Sequence, residues 1–287
     1  MTTRTPEKIA LVTGANSGIG RVTARELARR GYHVVLAGRS EERTRPVLQE
    51  IREICGNQDS ADFIPLDLGS LDSVRACAEA FLQRDLPLHL LVANAGLAGQ
   101  RGLTESGFEL SFGTCHVGHF LLTDLLLARI KESAPARIVV VSSKAHRHVS
   151  GIDFEAVGRP TPGVTGLKAY SVAKLANIIF AKELAHRLEG TGVTTYALHP
   201  GVVATNVWRS VPWPVGPLMK RFMTSEEEGA ATSLYCATDP AVATESGLYY
   251  NNCQVEEPSP AAQDEALARE LWKRSEAWVE KDGKNGV

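Results

Sequence analysis

Short β-branched apolar runs alternate with longer amphipathic stretches along almost the whole chain, and few folds accept that rhythm. The runs that read as strands are Ile9–Thr13, His33–Ala37, Asp62–Leu66, His89–Asn94, Arg137–Ser142, Thr194–Leu198 and Gly247–Tyr250. The stretches that read as helices are Gly18–Arg30, Glu41–Ile54, Leu71–Arg84, Phe108–Ile130, Leu167–Leu188, Ser225–Ala237 and Ala262–Glu280. Strands separated by helical segments build repeated βαβ units, and their parallel sheet is covered on both faces. The pattern predicts a doubly wound parallel α/β sheet flanked by helices. All 287 residues are assigned to one domain, long enough for a continuous core.

Two stretches break the alternation. Arg147–Gly166 is rich in Gly and Pro, and Thr205–Thr224 holds Trp208, Trp213, Pro212, Pro214 and Pro217. Irregular segments of this length at strand ends serve as binding loops in some proteins and are plain surface excursions in others. The sequence leaves both options open for each.

The first strand runs into Thr13-Gly14-Ala15-Asn16-Ser17-Gly18-Ile19-Gly20 and then into a helix. Glycines there permit a tight turn and close backbone approach, and the helix N-terminus offers unpaired N–H groups to a pyrophosphate. Alone, a Gly-rich string is weak; between the first strand and first helix it marks a Rossmann-type dinucleotide site. The second strand ends in Leu36-Ala37-Gly38-Arg39. Where an NAD-binding chain needs a carboxylate for the ribose 2′-hydroxyl, this one has Gly38 followed by a guanidinium able to hold a 2′-phosphate. NADP(H) is therefore favoured over NAD(H), the alternative being a solvated surface arginine. Asp67, after the third strand, could accept from an adenine amino group or cap the helix beginning near Leu71. Asn94-Ala95-Gly96 could tie neighbouring strands and line the cofactor floor, or form a simple turn.

Tyr170 and Lys174 stand four apart in a stretch without Pro or Gly, so they share one helix face. Free tyrosine titrates near pH 10 and shuttles protons poorly at neutrality. One cation about 4 Å away, at an effective dielectric of about 20, supplies about 4 kcal/mol, enough to make a general acid/base of the phenol. Ser142 and Ser143 close the fifth strand at the sheet edge where ligands of such folds bind, and one hydroxyl there could hold a carbonyl oxygen. No G-x-S-x-G elbow prepares a serine nucleophile. The run Lys144-Ala145-His146-Arg147-His148 lacks nearby carboxylates or cysteines to complete a metal site, so its histidines are expected to be ordinary solvated loop residues.

Net charge is −2, which gives no broad basic field for nucleic acid. Five scattered cysteines with no CxxC pair argue against a disulfide framework and favour a reducing compartment. No stretch is expected to form a transmembrane helix, and a cytoplasmic location is the expectation.

Taken together, Thr13–Gly20, Asn94–Gly96, Ser143, Tyr170/Lys174 and Pro200-Gly201 resemble the short-chain dehydrogenase/reductase family over nearly the whole chain. Gly118-His119-Phe120-Leu121-Leu122-Thr123, Ser142-Ser143-Lys144-Ala145-His146, Lys174-Leu175-Ala176-Asn177 and Ser246-Gly247-Leu248-Tyr249-Tyr250 are similar to its retinol dehydrogenase-like branch, which includes WW-domain oxidoreductases. The resemblance implies an NADP-dependent alcohol dehydrogenase or carbonyl reductase. Tyr170 would exchange the proton, Lys174 would assist it and bind the nicotinamide ribose, and Ser143 would position the carbonyl. It further implies that NADP(H) rests against Gly14, Asn16, Ser17, Gly18, Ile19, Gly20, Arg39, Asp67, Leu68, Asn94, Ala95, Gly96, Pro200, Gly201, Val203 and Thr205. The dinucleotide-binding part would cover about residues 8–200, and the loop at about 205–224 would close over an apolar retinoid, steroid, lipid or aromatic carbonyl with Trp208 and Trp213.

One departure stands out. Family members usually carry Asn, supporting a water relay to the lysine, where this chain has Cys115, a weak hydrogen-bonder. That substitution keeps open a catalytically slow NADP-binding sensor or interaction protein on the same fold. Phe108–Ile130 and Leu167–Leu188 commonly form dimer interfaces in the family, implying a homodimer or homotetramer, yet their apolar faces could equally serve the core.

Overall fold

The computed structural model describes residues 8–161, 165–201 and 225–282. Eight strands form one sheet: β1 (Lys8–Thr13), β2 (Tyr32–Gly38), β3 (Ala61–Pro65), β4 (Leu90–Ala93), β5 (Ala136–Val141), β6 (Val193–His199), β7 (Leu248–Asn251) and β8 (Gln254–Val255). Their order is β3-β2-β1-β4-β5-β6-β7-β8. All pairings are parallel except β7 with β8. The order reverses between β1 and β4, and that reversal opens the crevice in which doubly wound folds bind ligands.

The central strands are apolar on both faces because both are covered. On β1, Ile9 and Leu11 join the core layer beneath one set of helices, while Ala10 and Val12 join the layer beneath the other. The first layer is closed by α3 (Leu71–Leu82), α4 (Leu110–Glu132), α5 (Leu167–Arg187) and α7 (Glu265–Asp282). The second is closed by α1 (Gly18–Arg29), α2 (Glu41–Cys55) and α6 (Glu226–Thr238). Local chemistry fixes the ends. Ser40 caps α2 by accepting from the Arg43 N–H, and Gly56, at φ +61°, ends it. Ser225 and Glu228 form a reciprocal capping box at the start of α6.

The sequence-based boundaries hold to within a few residues, with four differences. The short strand β8 was not anticipated; it follows a two-residue turn in which Asn252 and Cys253 both have positive φ, a conformation the residue types advertise poorly. Helix α4 contains a π-helical turn at Gly113–Val117, which shifts the register around Cys115. It is also long and apolar enough to cross a membrane, contrary to expectation, yet 72% of its apolar window is buried inside the protein, as in a core helix. Finally, the stretch 149–161 is tied down at two points: the Glu109 N–H donates to Val157 O at 2.7 Å, and the Thr161 hydroxyl donates to Glu109 Oε1 at 2.7 Å.

Helix α7 lies across α4 and α5. Trp272 meets Phe120 at 5.0 Å and Phe180 at 5.9 Å, the Arg187 guanidinium sits 4.1 Å above its ring, and Ser275 bonds His116 at 2.9 Å. These side chains of α4 and α5 therefore pack against α7.

Candidate active site

The carboxyl ends of the parallel strands gather most of the residues singled out from sequence. Gly14 adopts φ +67° and its N–H donates to Ala37 O at 2.9 Å, closing the turn after β1. A Cβ on Gly20 would stand 2.5 Å from Gly14 O and 2.5 Å from Asn94 Nδ2, so only glycine lets α1 start so close to the turn. Ser17 precedes α1 without a side-chain cap, and no acidic residue occupies the first turn. The helix thus presents backbone N–H groups and no opposing charge, as a pyrophosphate requires. Asn16, Ser17 and Ile19 are half-buried on this turn. Exposed Arg39 follows β2 and forms no ion pair among the described residues. Asp67 caps a local turn, accepting from the Gly69 N–H at 2.9 Å rather than capping α3, whose first N–H donates to Ser106. Leu68 is a core residue, with its backbone against Gly118. Pro200 and Gly201 follow β6 at the same edge. Val203, Thr205, Trp208 and Trp213 lie outside the described residues.

Beneath this edge lies a buried polar lattice. Asn94 Nδ2 donates to Thr13 O at 2.8 Å, and the N–H groups of Asn94 and Ala95 donate to Thr13 Oγ1 at 3.0 and 2.9 Å. The two strands flanking the order reversal are stitched together, the first of the two options read for Asn94. His119 completes the lattice, with Nδ1 3.0 Å from Cys115 O and Nε2 2.9 Å from Thr13 Oγ1. Burial pushes its pKa down to about 4, so the ring is neutral. A carbonyl only accepts, so Nδ1 carries the proton and Nε2 accepts from the Thr13 hydroxyl.

At the neighbouring strand end, Lys174 is 3% exposed, with Nζ 5.5 Å from the centre of the Tyr170 ring. Its ammonium also donates to Val141 O at 2.8 Å, which fixes the side chain against β5. The two serines divide their work. Ser142 is buried and donates to Lys174 O at 2.6 Å, whereas Ser143 is half-buried and its Oγ accepts from the Ala145 N–H at 3.2 Å. Among the described residues the Ser143 O–H has no acceptor, which leaves it able to donate to a ligand. Cys115 is fully buried, with Sγ only 4.0 Å from Leu97 O. A Cβ on Gly96 would lie 3.2 Å from that sulfur and 3.4 Å from Lys174 Nζ, so Gly96 is the gap between them.

A model of the short chain dehydrogenase family matches residues 8–213. The chain belongs to that family. It is 48% identical over 274 residues to dehydrogenase/reductase SDR family member 13 of Bos taurus, covering 93% of this chain and 72% of that one. It is 44% identical to human retinol dehydrogenase 14 (95% and 86% covered) and 43% identical to the WW domain-containing oxidoreductase of Danio rerio (96% and 69% covered). Among solved structures, an uncharacterized protein from Mycobacterium Paratuberculosis superposes with a TM-score of 0.75 at 32% identity, covering 95% of this chain and 93% of that one. Actinorhodin polyketide ketoreductase with NADPH gives 0.68 at 29%, covering 85% and 95%. The protein is thus an oxidoreductase of the short-chain dehydrogenase family, in its retinol dehydrogenase-like branch.

Two features of this short-chain dehydrogenase escaped the sequence reading. His119 gave no sign of its role, because a histidine in an apolar helical run looks like any core residue. His146, expected to be solvated, is fully buried: Nδ1 lies 2.7 Å from Ser143 O, and Nε2 accepts from the Ser259 N–H at 3.1 Å. The partner that explains it is 113 residues away. His199 is also buried, receiving the Lys144 N–H at 3.3 Å, and burial lowers its pKa to about 4.

Proposed function

We propose that this oxidoreductase uses NADP(H) to interconvert an apolar carbonyl compound and its alcohol, with a retinoid, steroid, lipid or aromatic ketone or aldehyde as substrate class. The observation that carries the reading is the Lys174 ammonium, 5.5 Å from the centre of the Tyr170 ring and bonded to Val141 O at the end of the strand that runs into Ser143. In this arrangement Ser143 donates a hydrogen bond to the substrate oxygen, and Tyr170 gives that oxygen a proton during reduction or takes it during oxidation. Lys174 stabilises the phenolate that remains. The dinucleotide supplies the hydride; the turn from Gly14 to Gly20, with Asn94, Lys174, Pro200 and Gly201, would hold it. Arg39 at the end of β2 supports the choice of NADP over NAD, since its guanidinium has no carboxylate partner among the described residues.

Retinol dehydrogenase names among the relatives support an apolar substrate, as does the composition of Thr205–Thr224, where Trp208 and Trp213 would contact it. Five free cysteines support a cytoplasmic location. A panel of apolar and sugar carbonyls with NADPH tests the reading. Faster turnover of small polar sugars than of any apolar carbonyl refutes the substrate class.

Cys115 favours a second reading. Its thiol is a poor hydrogen-bonder, and one lone pair of its carbonyl is taken by the His119 ring. A slow NADP-binding sensor would bind NADPH tightly and consume none of it across the same panel.

A further inference from the structure

We infer that His146 is the positioning residue for Ser143, acting through the hydrogen bond from its Nδ1–H to the Ser143 carbonyl. The inference rests on the reading that Ser143 hydrogen-bonds the substrate oxygen. Ser143 leaves β5 in an extended conformation, φ −164° and ψ 154°, and Lys144–His148 then turn tightly. The direction of a residue's carbonyl is set by the same ψ that orients the chain around its Cα. Holding the Ser143 carbonyl therefore holds the base from which its hydroxyl projects. That carbonyl receives the His146 N–H at 3.1 Å and the His146 ring at 2.7 Å, so one residue grips it twice.

The ring is itself held from three sides. Ser259, just before α7, donates its N–H to Nε2 at 3.1 Å. Because an amide N–H only donates and a carbonyl only accepts, the imidazole is neutral with its proton on Nδ1. Tyr249 of β7 packs edge-on at 5.2 Å. Outside the ring, Glu256 clamps the same turn, 2.8 Å from Arg147 and 3.7 Å from Lys144, while accepting from Asn251 at 2.8 Å. Lys144, Arg147 and His148 are exposed, whereas His146 is fully buried. A neutral, doubly bonded imidazole in so basic a run is placed for geometry.

Asparagine and glutamine separate the two arms. The asparagine amide occupies the place of Nδ1 and reaches Ser143; the glutamine amide occupies the place of Nε2 and reaches Ser259. His146→Asn should keep kcat within about threefold of the parent, whereas His146→Gln should lower it about 10- to 100-fold, the scale on which a misplaced catalytic group costs rate. NADPH binding should be unchanged in both. In a Ser143→Ala background the His146→Gln effect should shrink to less than about twofold, because coupled positions do not add. Equal losses in the Asn and Gln variants, or a Gln effect undiminished in the Ser143→Ala background, overturn the inference. If the Gln variant does not fold, His146→Asn decides alone, a kcat loss above about tenfold overturning the claim. Unchanged kcat in Ser143→Ala by itself sinks the role of Ser143 instead.

Discussion

Mild acid should destabilise this protein strongly, and three of its buried imidazoles set a lower bound on the effect. His116, His119 and His199 are 1%, 2% and 6% exposed. Burial lowers their pKa values from 6.5 to about 3, 4 and 4. A histidine whose folded pKa lies below its unfolded value contributes stability that is complete above the unfolded pKa. That contribution is lost as pH falls from about 6.5 toward the folded value, because the unfolded chain takes up protons that the folded chain refuses. Between about pH 7 and about pH 5 each group withdraws about 2 kcal/mol, at about 1.36 kcal/mol per unit. Together they withdraw about 6 kcal/mol, a large share of the roughly 5–15 kcal/mol typical of a folded domain. Urea unfolding followed by tryptophan fluorescence over this range would measure it. His116→Gln, which keeps a donor and acceptor near Ser275, should remove about 2 kcal/mol of that change. Equal unfolding free energies at the two ends of the range would refute the reasoning.

Three further outcomes follow from the geometry. A Cβ on Gly38 would have only Thr44 Oγ1 within reach, at 3.9 Å, so Gly38→Asp should fold and move preference toward NAD. Loss of a charge-assisted contact would lower the NADP/NAD ratio in kcat/KM about 10- to 100-fold, as should Arg39→Asp; an unchanged ratio would discredit Arg39. Cys115→Asn should raise kcat, while an unchanged kcat in a folded variant would show that the thiol limits nothing. Trp272→Ala, which empties the contact of α7 with Phe120, Phe180 and Arg187, should cost about 3–5 kcal/mol in unfolding free energy; a loss below about 1 kcal/mol would show that α7 is not anchored there.

The fold was legible because it is written in local signals: apolar runs such as Ile9–Val12, a glycine turn before α1, and helices of ordinary length. The strand edge that carries Gly14, Asn94 and Ser143 followed from the same alternation, since parallel strands bring their carboxyl ends to one side. What stayed hidden depends on long-range partners. His119 works through Thr13, 106 positions away, and His146 through Ser259. Neither histidine differs from a filler residue until the sheet has brought its partner within about 3 Å. The β7–β8 turn was missed because Asn252-Cys253 lacks the glycine that usually announces two positive φ values. Helix α7 read as one more amphipathic segment, and only packing reveals that it covers α4 and α5.

The central claim is that Tyr170 exchanges a proton with substrate while the dinucleotide delivers hydride. Parallel measurement of NADPH affinity and single-turnover NADPH oxidation in the parent and in Tyr170→Phe, with an apolar aldehyde, tests it most directly. The account predicts nearly equal affinities and no detectable oxidation by the variant. Oxidation at the parental rate by a chain lacking that hydroxyl would contradict it.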